Sequence, residues 1–424
     1  MDRRFSIKEI ALFFAQLIKQ ILQSVLFPAL YYFFCIGRKV NDKLVLLADM
    51  HSEQRPYSLK LIHDALIDAG FQIQEHYIEN KKSTIIQIAK FAAVFMYSYA
   101  VARYVFICDY FLPVVSCKKR KETTVVQLWH ASGILKKFGY DSAEDIPESF
   151  GIFAAKDAAK TRLRRALVRR VLYRGNLFKN YSLVTVSSPE CVTYYESAMR
   201  LHKGICVPIG IARTDCLFNQ YYVHSCKEKL LCKYPQLANK KIALWVPTFR
   251  GNVKQAYTAG VEDIIKLNLQ EDWCLVVKQH PHAPRAAGLF QPEMDASEIF
   301  PAADVLITDY STILFEFSLL GKPIILFLPD GDQYEQRRGI YIPLNEIPAP
   351  VVYTREELAG AIENAQSNYS PERWESFRQK YMSSCDGNTV QRILERVCAV
   401  NPGVKPPQSS FLIEEAAASK VFYG

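Results

Sequence analysis

The sequence lacks the usual signatures of a secreted disulfide protein, of a zinc protein and of an integral membrane protein. Its 11 cysteines are odd in number and include no Cys-x-x-Cys pair, which predicts reduced thiols in a cytosolic protein. No internal repeat or low-complexity block is present. The uninterrupted part of the N-terminal apolar segment, residues 24–37, is shorter than the roughly 20 residues of a membrane span. No small-residue cleavage site follows it, so we expect no removable signal peptide.

What is present is the composition of a globular protein of two domains. The chain has 424 residues, of which 50% are hydrophobic and 22% are charged. The net charge of +9 favours an anionic partner, which could be nucleic acid, anionic lipid or a phosphorylated substrate.

Two segments predict contact with an anionic membrane surface. Residues 5–36 are apolar and aromatic but interrupted by polar side chains, so we expect residues 1–40 to contain an amphipathic helix in the membrane interface. A helix packed on the first domain is the alternative. Residues 156–179 carry nine cations and one acid beside an apolar stripe, which predicts a basic amphipathic segment. Nucleic-acid binding is a rival interpretation, but the chain has no recognisable binding module, and we expect no nucleic-acid partner.

Through the rest of the chain, short apolar β-rich runs alternate with helical patterns. The predicted strands are residues 43–49, 71–78, 104–108, 124–128, 182–186, 205–209, 241–246, 273–278, 305–308, 323–327 and 351–353. This alternation predicts an α/β protein with two doubly wound, Rossmann-like domains, residues 41–220 and 221–400, each a parallel sheet covered by helices. Residues 388–399 form a late helix that could pack back across the junction, and residues 401–424 form a tail.

Three polar stretches follow predicted strands of the second domain. Ligands of open α/β sheets bind beyond the carboxyl ends of the strands, so these stretches are candidates for one site. The first stretch contains Asp309, with Ser311 or Thr312 as a helix N-cap whose following amides could bind an anion; a simple capped helix start is the alternative. The second contains Thr248 and Arg250, whose planar guanidinium suits a diphosphate. The third contains His280.

A fourth stretch follows a predicted strand of the first domain and contains His130. An imidazole in a cleft can take a proton from an attacking hydroxyl at neutral pH. A buried, hydrogen-bonded core histidine is the alternative. Metal binding by His280 and His282 lacks a matching carboxylate or cysteine pattern, so we predict neither a metal site nor a cofactor.

Six motifs together resemble one family. They are WHASGILKKFG (129–139), VPTFRGN (246–252), KQHP (278–281), ADVLITDYSTILFEF (303–317), GKPIILFLPDGDQYEQRRG (321–339) and DGNTVQRI (386–393). In this order they resemble the CDP-glycerol glycerophosphotransferase family of teichoic-acid synthesis, and the resemblance spans about residues 43–400. It implies a GT-B fold whose two domains face a central cleft. It also implies transfer of glycerol phosphate from CDP-glycerol with release of CMP.

The resemblance also implies roles for individual residues. His130 matches a general base, and His280 matches a histidine that engages the phosphates of the donor. The other donor-side positions are Thr248, Arg250, Asp309, Ser311, Thr312, Glu316 and Arg338. We assign the cations Lys136, Lys137, Arg164, Arg165, Arg169 and Arg170 to contact with the acceptor or the membrane.

Within the family, the form of the first motif, with Ser132 and Phe138, is more similar to primases than to polymerases. A primase would act on a disaccharide linked to undecaprenyl diphosphate, as a peripheral protein at the cytoplasmic face of the membrane. CDP-ribitol as donor, a polymerase of the same family and a nucleotide-sugar glycosyltransferase with a GT-B fold remain alternatives. Transfer without a metal, with fixed cations and helix amides neutralising charge, is a hypothesis.

Overall fold

The computed structural model describes residues 25–79, 83–142, 178–251, 256–280, 283–331 and 333–399. Most of the predicted N-terminal helix, almost all of the basic segment 156–179 and the tail 401–424 lie outside the described residues. The predictions for Arg164, Arg165, Arg169 and Arg170 fall there as well.

The first domain contains a six-stranded parallel sheet in the order β2-β1-β3-β4-β5-β6. Its strands are β1 (Asn41–Asp49), β2 (Gln72–Tyr77), β3 (Ala102–Ile107), β4 (Thr124–Gln127), β5 (Leu183–Thr185) and β6 (Cys206–Val207). Its helices are α1 (Phe27–Cys35), α2 (Tyr57–Asp68), α3 (Ile85–Tyr99), α4 (Leu112–Ser116) and α5 (Pro189–Met199). A 3-10 helix, Ala212–Phe218, follows β6.

The second domain contains a five-stranded parallel sheet in the order β10-β7-β11-β12-β13. Its strands are β7 (Lys241–Val246), β10 (Trp273–Val277), β11 (Val305–Thr308), β12 (Ile324–Phe327) and β13 (Val351–Val352), and β8 (Phe249–Arg250) pairs separately with β9 (Tyr257–Thr258). The remaining helices are α6 (Gln220–Lys233), α7 (Val261–Ile265), α8 (Ala296–Ile299), α9 (Ile313–Ser318), α10 (Gln333–Arg338), α11 (Arg355–Glu363), α12 (Pro371–Tyr381) and α13 (Thr389–Ala399).

The central strands of both sheets are buried on both faces, as continuous apolar strands predict. In β1, Leu44 and Leu46 belong to one apolar cluster, whereas Val45 and Leu47 belong to another. In β7, Leu244 joins the same cluster as Leu46. Because side chains alternate along a strand, one face of each sheet therefore contributes to a single core that continues across the domain interface. The prediction of two parallel α/β sheets is confirmed, and all eleven predicted strands are present to within two residues.

The last described helix, α13, returns to the first domain, as its position in the sequence suggested. Ile393 and Val397 of α13 are buried in the apolar cluster that contains Val45 and Leu47. The hydroxyl of Tyr104 on β3 donates to the carbonyl oxygen of Val397 at 2.8 Å. The second domain is thus inserted between two parts of the first.

The described part of the predicted N-terminal helix is α1, which packs on the first domain. Pro28 lies in its first turn, where proline is tolerated because that amide has no helical partner. Phe27 and Tyr31 are buried against the domain, and Arg120 donates to the carbonyl oxygen of Cys35 at 2.5 Å. The amphipathic helix itself is not confirmed. Within the part of the chain that the structure describes, no helix has the length and apolarity of a membrane span.

Candidate active site

His130 lies just beyond the carboxyl end of β4, beside one acidic residue that also faces a second histidine. Its Nδ1 atom is 3.5 Å from Oδ2 of Asp109, which follows β3. The same carboxylate oxygen is 3.6 Å from Nδ1 of His51, which follows β1. The side chain of His130 is 51% exposed, so the alternative of a buried core histidine does not apply. With Nδ1 facing a carboxylate, the opposite ring nitrogen, Nε2, is left to act on a substrate.

The position of this cluster follows from the strand order. The chain passes from β1 to β2 on one side and later returns to β3 on the other side, so a crevice opens between the ends of β1 and β3. Asp49 ends β1 and is held there because its Oδ2 accepts the amides of His51 and Ser52 at 2.7 and 3.0 Å. This turn directs His51 toward Asp109.

The backbone at His130 is strained. Trp129 is one of three non-glycine residues with positive φ among those described, at 58°, a conformation that a bulky side chain rarely adopts. The Trp129 amide donates to Oε1 of Gln127 at 2.9 Å, and the rings of Trp129 and His130 lie 4.6 Å apart. Strain of this kind persists only where surrounding contacts hold it, and it is concentrated at functional sites.

In the second domain, Thr248, Arg250 and Asp309 come together at the equivalent crevice, between the ends of β7 and β11. The amide of Thr248 donates to Oδ1 of Asp309 at 2.9 Å. The guanidinium of Arg250 donates to Oδ2 of Asp309 at 2.9 Å and to both oxygens of Asp330 at 2.7 and 3.0 Å. It also lies over the ring of Tyr334, with 4.4 Å from Cζ to the centroid.

Arg250 is therefore engaged by two carboxylates and is only 4% exposed. Burial alone would lower the pKa of this guanidinium, but the hydrogen bonds and charges of Asp330 and Asp309 raise it above its ordinary value. We conclude that Arg250 has a structural role, because its hydrogen bonds join the loop after β7 to the loops after β11 and β12. The hydroxyl of Thr248 is different, because its Oγ1 is buried without a hydrogen-bond partner among the described groups. An orphaned buried hydroxyl beside a crevice is a candidate for ligand binding.

His280 follows β10 and packs on Phe249 with the rings tilted by 41° and their centroids 4.5 Å apart. Phe249 lies between Thr248 and Arg250 in the chain, so His280 belongs to the same strand-end cluster. Nearby, burial lowers the pKa of the Lys278 ammonium, whose Nζ donates to the carbonyl oxygen of Pro292 at 3.3 Å.

Ser311 and Thr312 lie between β11 and α9. Thr312 is the N-cap residue but makes no capping hydrogen bond through its side chain, and α9 is only six residues long. The Oγ atom of Ser311 accepts the amide of Ile313 at 3.5 Å. The predicted helix start is present, but its positive end is weaker than that of a long helix.

Glu316 and Arg338 contact the first domain. Oε1 of Glu316 accepts from the hydroxyl of Ser132 at 3.1 Å, and Oε2 lies 3.0 Å from Nη2 of Arg213. Nε of Arg338 donates to the carbonyl oxygen of Lys137 at 3.3 Å. The amide of Lys137 donates to Gly339, and Lys136 pairs with Ile340 in an antiparallel bridge. These predicted donor-side and acceptor-side residues thus meet at the domain interface.

Four residues of this site were not identified from the sequence: His51, Asp109, Arg213 and Asp330. Asp109 directly follows a predicted strand, and His51 lies two residues beyond one, so the strand-end criterion applied to the second domain could have found both. Asp330 occurs in Asp330-Gly331-Asp332, shortly after β12. Arg213 had no such signal, because its role depends on a partner in the other domain.

Two parallel α/β sheets whose carboxyl-end loops meet define a protein with the GT-B architecture. The family model described as CDP-glycerol:poly(glycerophosphate) glycerophosphotransferase matches residues 30–399. The chain belongs to this family.

The chain is similar to enzymes of both primase and polymerase type. It is 27% identical to the teichoic acid ribitol-phosphate primase of Bacillus spizizenii, over 84% of this chain and 90% of that protein. It is also 27% identical to the teichoic acid glycerol-phosphate primase of Bacillus subtilis, over 85% and 89%. The solved structure of the wall teichoic acid polymerase TagF after soaking with CDPG has a TM-score of 0.69 at 17% identity, over 94% of this chain and 100% of that chain. This likeness confirms the fold.

Proposed function

We propose that this protein transfers glycerol phosphate from CDP-glycerol to a hydroxyl of a disaccharide linked to undecaprenyl diphosphate, releasing CMP. The observation that carries the proposal is the contact between the loop of His130 and helix α9. In this contact, the loop that carries the candidate base packs against the helix that follows β11.

The donor side rests on the arrangement around Thr248. Its buried hydroxyl, which has no hydrogen-bond partner among the described groups, can donate to a pyrophosphate oxygen. The hydroxyls of Ser311 and Thr312 follow the neighbouring strand, β11. His280, held against Phe249, supplies a further donor for the phosphates. Arg250 and Asp309 fix the loop of Thr248 and are positioning residues in this scheme.

The acceptor side rests on His130 and Asp109. The acceptor hydroxyl enters beside Nε2 of His130, which takes the proton as the oxygen attacks the β-phosphorus of the donor. A bond forms between the acceptor oxygen and that phosphorus, and the bond from phosphorus to the bridging oxygen breaks. CMP leaves with the bonding electrons, and Asp109 stabilises the imidazolium that has formed.

A primase is our first choice of activity, on the form of the 129–139 motif. Glycerol is our first choice of polyol, on the resemblance to the CDP-glycerol family. The two primases of the comparison, one for ribitol phosphate and one for glycerol phosphate, are equally similar to this chain. CDP-ribitol and repeated transfer are therefore outcomes that the experiment must distinguish.

We also propose peripheral attachment to the cytoplasmic face of an anionic membrane, through a patch on and beside α1 and α3. Its exposed apolar side chains are Val25, Leu26, Tyr32, Phe33, Ile36, Ile86, Val94 and Tyr97. Phe34 and Arg38 both pack on Tyr97, so the two helix faces adjoin. Exposed Lys39 and Lys90 supply charge for anionic headgroups.

The function is tested by offering the purified protein CDP-glycerol or CDP-ribitol with a synthetic lipid-linked disaccharide. Release of CMP and a product heavier by one polyol phosphate support the proposed primase. A ladder of heavier products identifies a polymerase. Release of CDP or UDP from a nucleotide sugar, with no CMP from either CDP-polyol, would overturn the proposal. Assays with EDTA and with added magnesium test the metal hypothesis.

The role of His130 is tested in the same assay. His130→Ala is expected to lower turnover at least about 100-fold, the usual effect of losing a general base, while the far-UV circular dichroism spectrum stays unchanged. His224→Ala is the matched control, because His224 is 74% exposed on α6 and pairs with Glu228 of the same helix. Near-normal turnover of His130→Ala would reject the base.

A further inference from the structure

Arg213 joins the two domains beside His130. It lies in the 3-10 helix Ala212–Phe218, which follows the last strand of the first sheet. Its Nη1 atom donates to the carbonyl oxygen of His130 at 3.0 Å. Its Nη2 atom is 3.0 Å from Oε2 of Glu316 on α9 in the second domain. One guanidinium therefore holds both the peptide of the candidate base and a carboxylate from the donor domain.

Glu316 holds the same loop at a second point. Its other oxygen, Oε1, accepts from the hydroxyl of Ser132, two residues after His130. The side chain of Glu316 is 5% exposed and that of Arg213 is 27% exposed. A charge-assisted hydrogen bond in such surroundings is stronger and more directional than one in water. The Glu316 carboxylate thus contacts the His130 loop directly at Ser132 and indirectly through Arg213.

The loop that Arg213 and Glu316 hold is the one with the strained backbone at Trp129. Trp129 has a positive φ, and the hydrogen bond from its amide to Gln127 fixes the peptide before it. The hydrogen bond from Arg213 fixes the peptide after His130. These two hydrogen bonds hold the peptides on either side of the Trp129–His130 pair, so they restrain the backbone that carries the imidazole. Arg213 therefore holds the peptide that follows the residue whose imidazole faces Asp109.

We propose that Arg213 and Glu316 are positioning residues, through which the donor domain sets the orientation of the general base His130. This inference rests on the proposed function of His130. The motif position of Glu316 implied a role in binding CDP-glycerol. Here Glu316 instead orients the base on the acceptor side. Loss of either side chain should lower the rate of transfer and leave the affinity for the donor unchanged.

The test separates turnover from donor binding in Arg213→Gln and Glu316→Gln. We expect kcat to fall about 10- to 100-fold in each, the range produced by misplacing a catalytic group by about 1 Å. The Kd of CDP-glycerol, measured by isothermal titration calorimetry, should stay within about twofold of wild type. Because both residues act in one chain of contacts, the double variant should lose no more than the worse single variant, unlike independent sites.

Arg378→Gln is the matched control. Arg378 donates to the carbonyl oxygen of Ser318 at 3.0 Å and to Glu375 at 2.8 Å, which are bonds of the same kind within one domain. Its side chain is 20% exposed, close to the exposure of Arg213. We expect this variant to keep the wild-type kcat, because no bond between the domains is lost.

A rescue experiment distinguishes positioning from a general loss of structure. Added guanidinium ion should restore part of the kcat of Arg213→Ala, because it can occupy the vacated position, and should not raise the kcat of Arg378→Ala. If Arg213→Gln does not fold, Arg213→Lys and Ser132→Ala replace it, each expected to lose kcat with unchanged Kd.

Two results would overturn the inference. One is a wild-type kcat in Arg213→Gln or Arg213→Lys. The other is a Kd for CDP-glycerol raised tenfold or more in Glu316→Gln with kcat retained, which would make Glu316 a donor ligand. Failure of the proposed function is distinct from both, because the wild-type protein would then release no CMP from either CDP-polyol.

Discussion

A Cβ atom added to Gly133 would lie 2.3 Å from ring carbons of Phe315 on α9. This distance is far below any real contact, so the loop of the first domain and the helix of the second are as close as glycine permits. Gly133 also has a φ of 63°, which other residues adopt at a cost. The approach packs the His130 loop against α9, which follows the strand end of the proposed donor site.

Gly133→Ala should therefore separate the two domains locally. We expect turnover to fall at least tenfold and the free energy of unfolding to fall by about 2–4 kcal/mol, from overpacking and from the left-handed backbone together. Gly37→Ala is the matched control, since Gly37 has a φ of 67° and open space around its Cα. It should lose only about 1 kcal/mol and no turnover. Equal effects of the two variants in urea denaturation and CMP release would contradict the interpretation.

Asp109→Asn should lower turnover by about 100-fold or more, because the imidazolium of His130 loses its counter-charge and its preferred tautomer. His51→Gln should have a smaller effect, since His51 shares Asp109 without contacting the reacting atoms in our mechanism. Initial rates of CMP release at saturating donor measure both. Asp64→Asn is the control, because Asp64 pairs with His63 at 2.7 Å on α2 in the same manner. Full activity in Asp109→Asn would exclude it from the mechanism.

Arg250→Met should destabilise the second domain and abolish donor binding. It leaves Asp309 and Asp330 without their shared cation, and breaking a buried ion pair from one side costs about 3–5 kcal/mol. Urea denaturation and calorimetry with CDP-glycerol provide the two measurements. Adding Asp330→Asn should recover part of the stability, because one unpaired charge is removed. A variant that binds donor with wild-type affinity would show that Arg250 does not organise this site.

His76 makes stability depend on pH. Burial among Phe91 and Phe95 lowers the pKa of this imidazole to about 4, from an ordinary value of 6.5, and its Nε2 has no partner among the described groups. Between about pH 4 and pH 6.5, the imidazole of His76 therefore binds a proton in the unfolded chain and stays neutral in the folded chain. The stability that the neutral His76 imidazole contributes is complete above pH 6.5. As the pH falls toward 4, the free energy of unfolding decreases by at most about 3 kcal/mol through this residue.

His76→Leu should flatten this dependence, because it keeps the apolar packing and removes the titrating group. The free energy of unfolding, measured in urea at several pH values across that interval, should change less with pH than in wild type. His224→Leu, which replaces an imidazole that is 74% exposed, is the control. Identical slopes for wild type and His76→Leu would refute the assignment.

The patch on α1 and α3 predicts salt-sensitive binding to anionic vesicles. Phe33→Ser combined with Ile36→Ser should reduce sedimentation with phosphatidylglycerol vesicles at least about tenfold, because two apolar side chains no longer enter the interface. Tyr353→Ser is the control, since Tyr353 is similarly exposed on the second domain. Equal binding to neutral and anionic vesicles would argue against an electrostatic contribution from the chain's cations.

The sequence pattern was sufficient to predict the strands of both sheets. It was insufficient to predict which residues of the two domains contact each other. The run at residues 241–246 predicts β7 correctly because a buried parallel strand must be apolar on both faces. The short pair β8 and β9 was missed, since two-residue strands have no periodicity to detect. Ser311 was expected near an N-cap and lies there, but the shortness of α9 depends on tertiary packing. Arg213 and Glu316 are 103 residues apart, and only the folded chain shows that they meet.

The return of α13 to the first sheet has a consequence for biosynthesis. The core beside β1 includes Ile393 and Val397, which are among the last described residues to leave the ribosome. The second domain is contiguous in sequence, so it can close its own sheet while the earlier one still lacks a side of its core. Domains usually complete folding in the order of their synthesis. Here the domain that is translated first is finished last, and a nascent chain halted before α13 would expose that unfinished surface to chaperones.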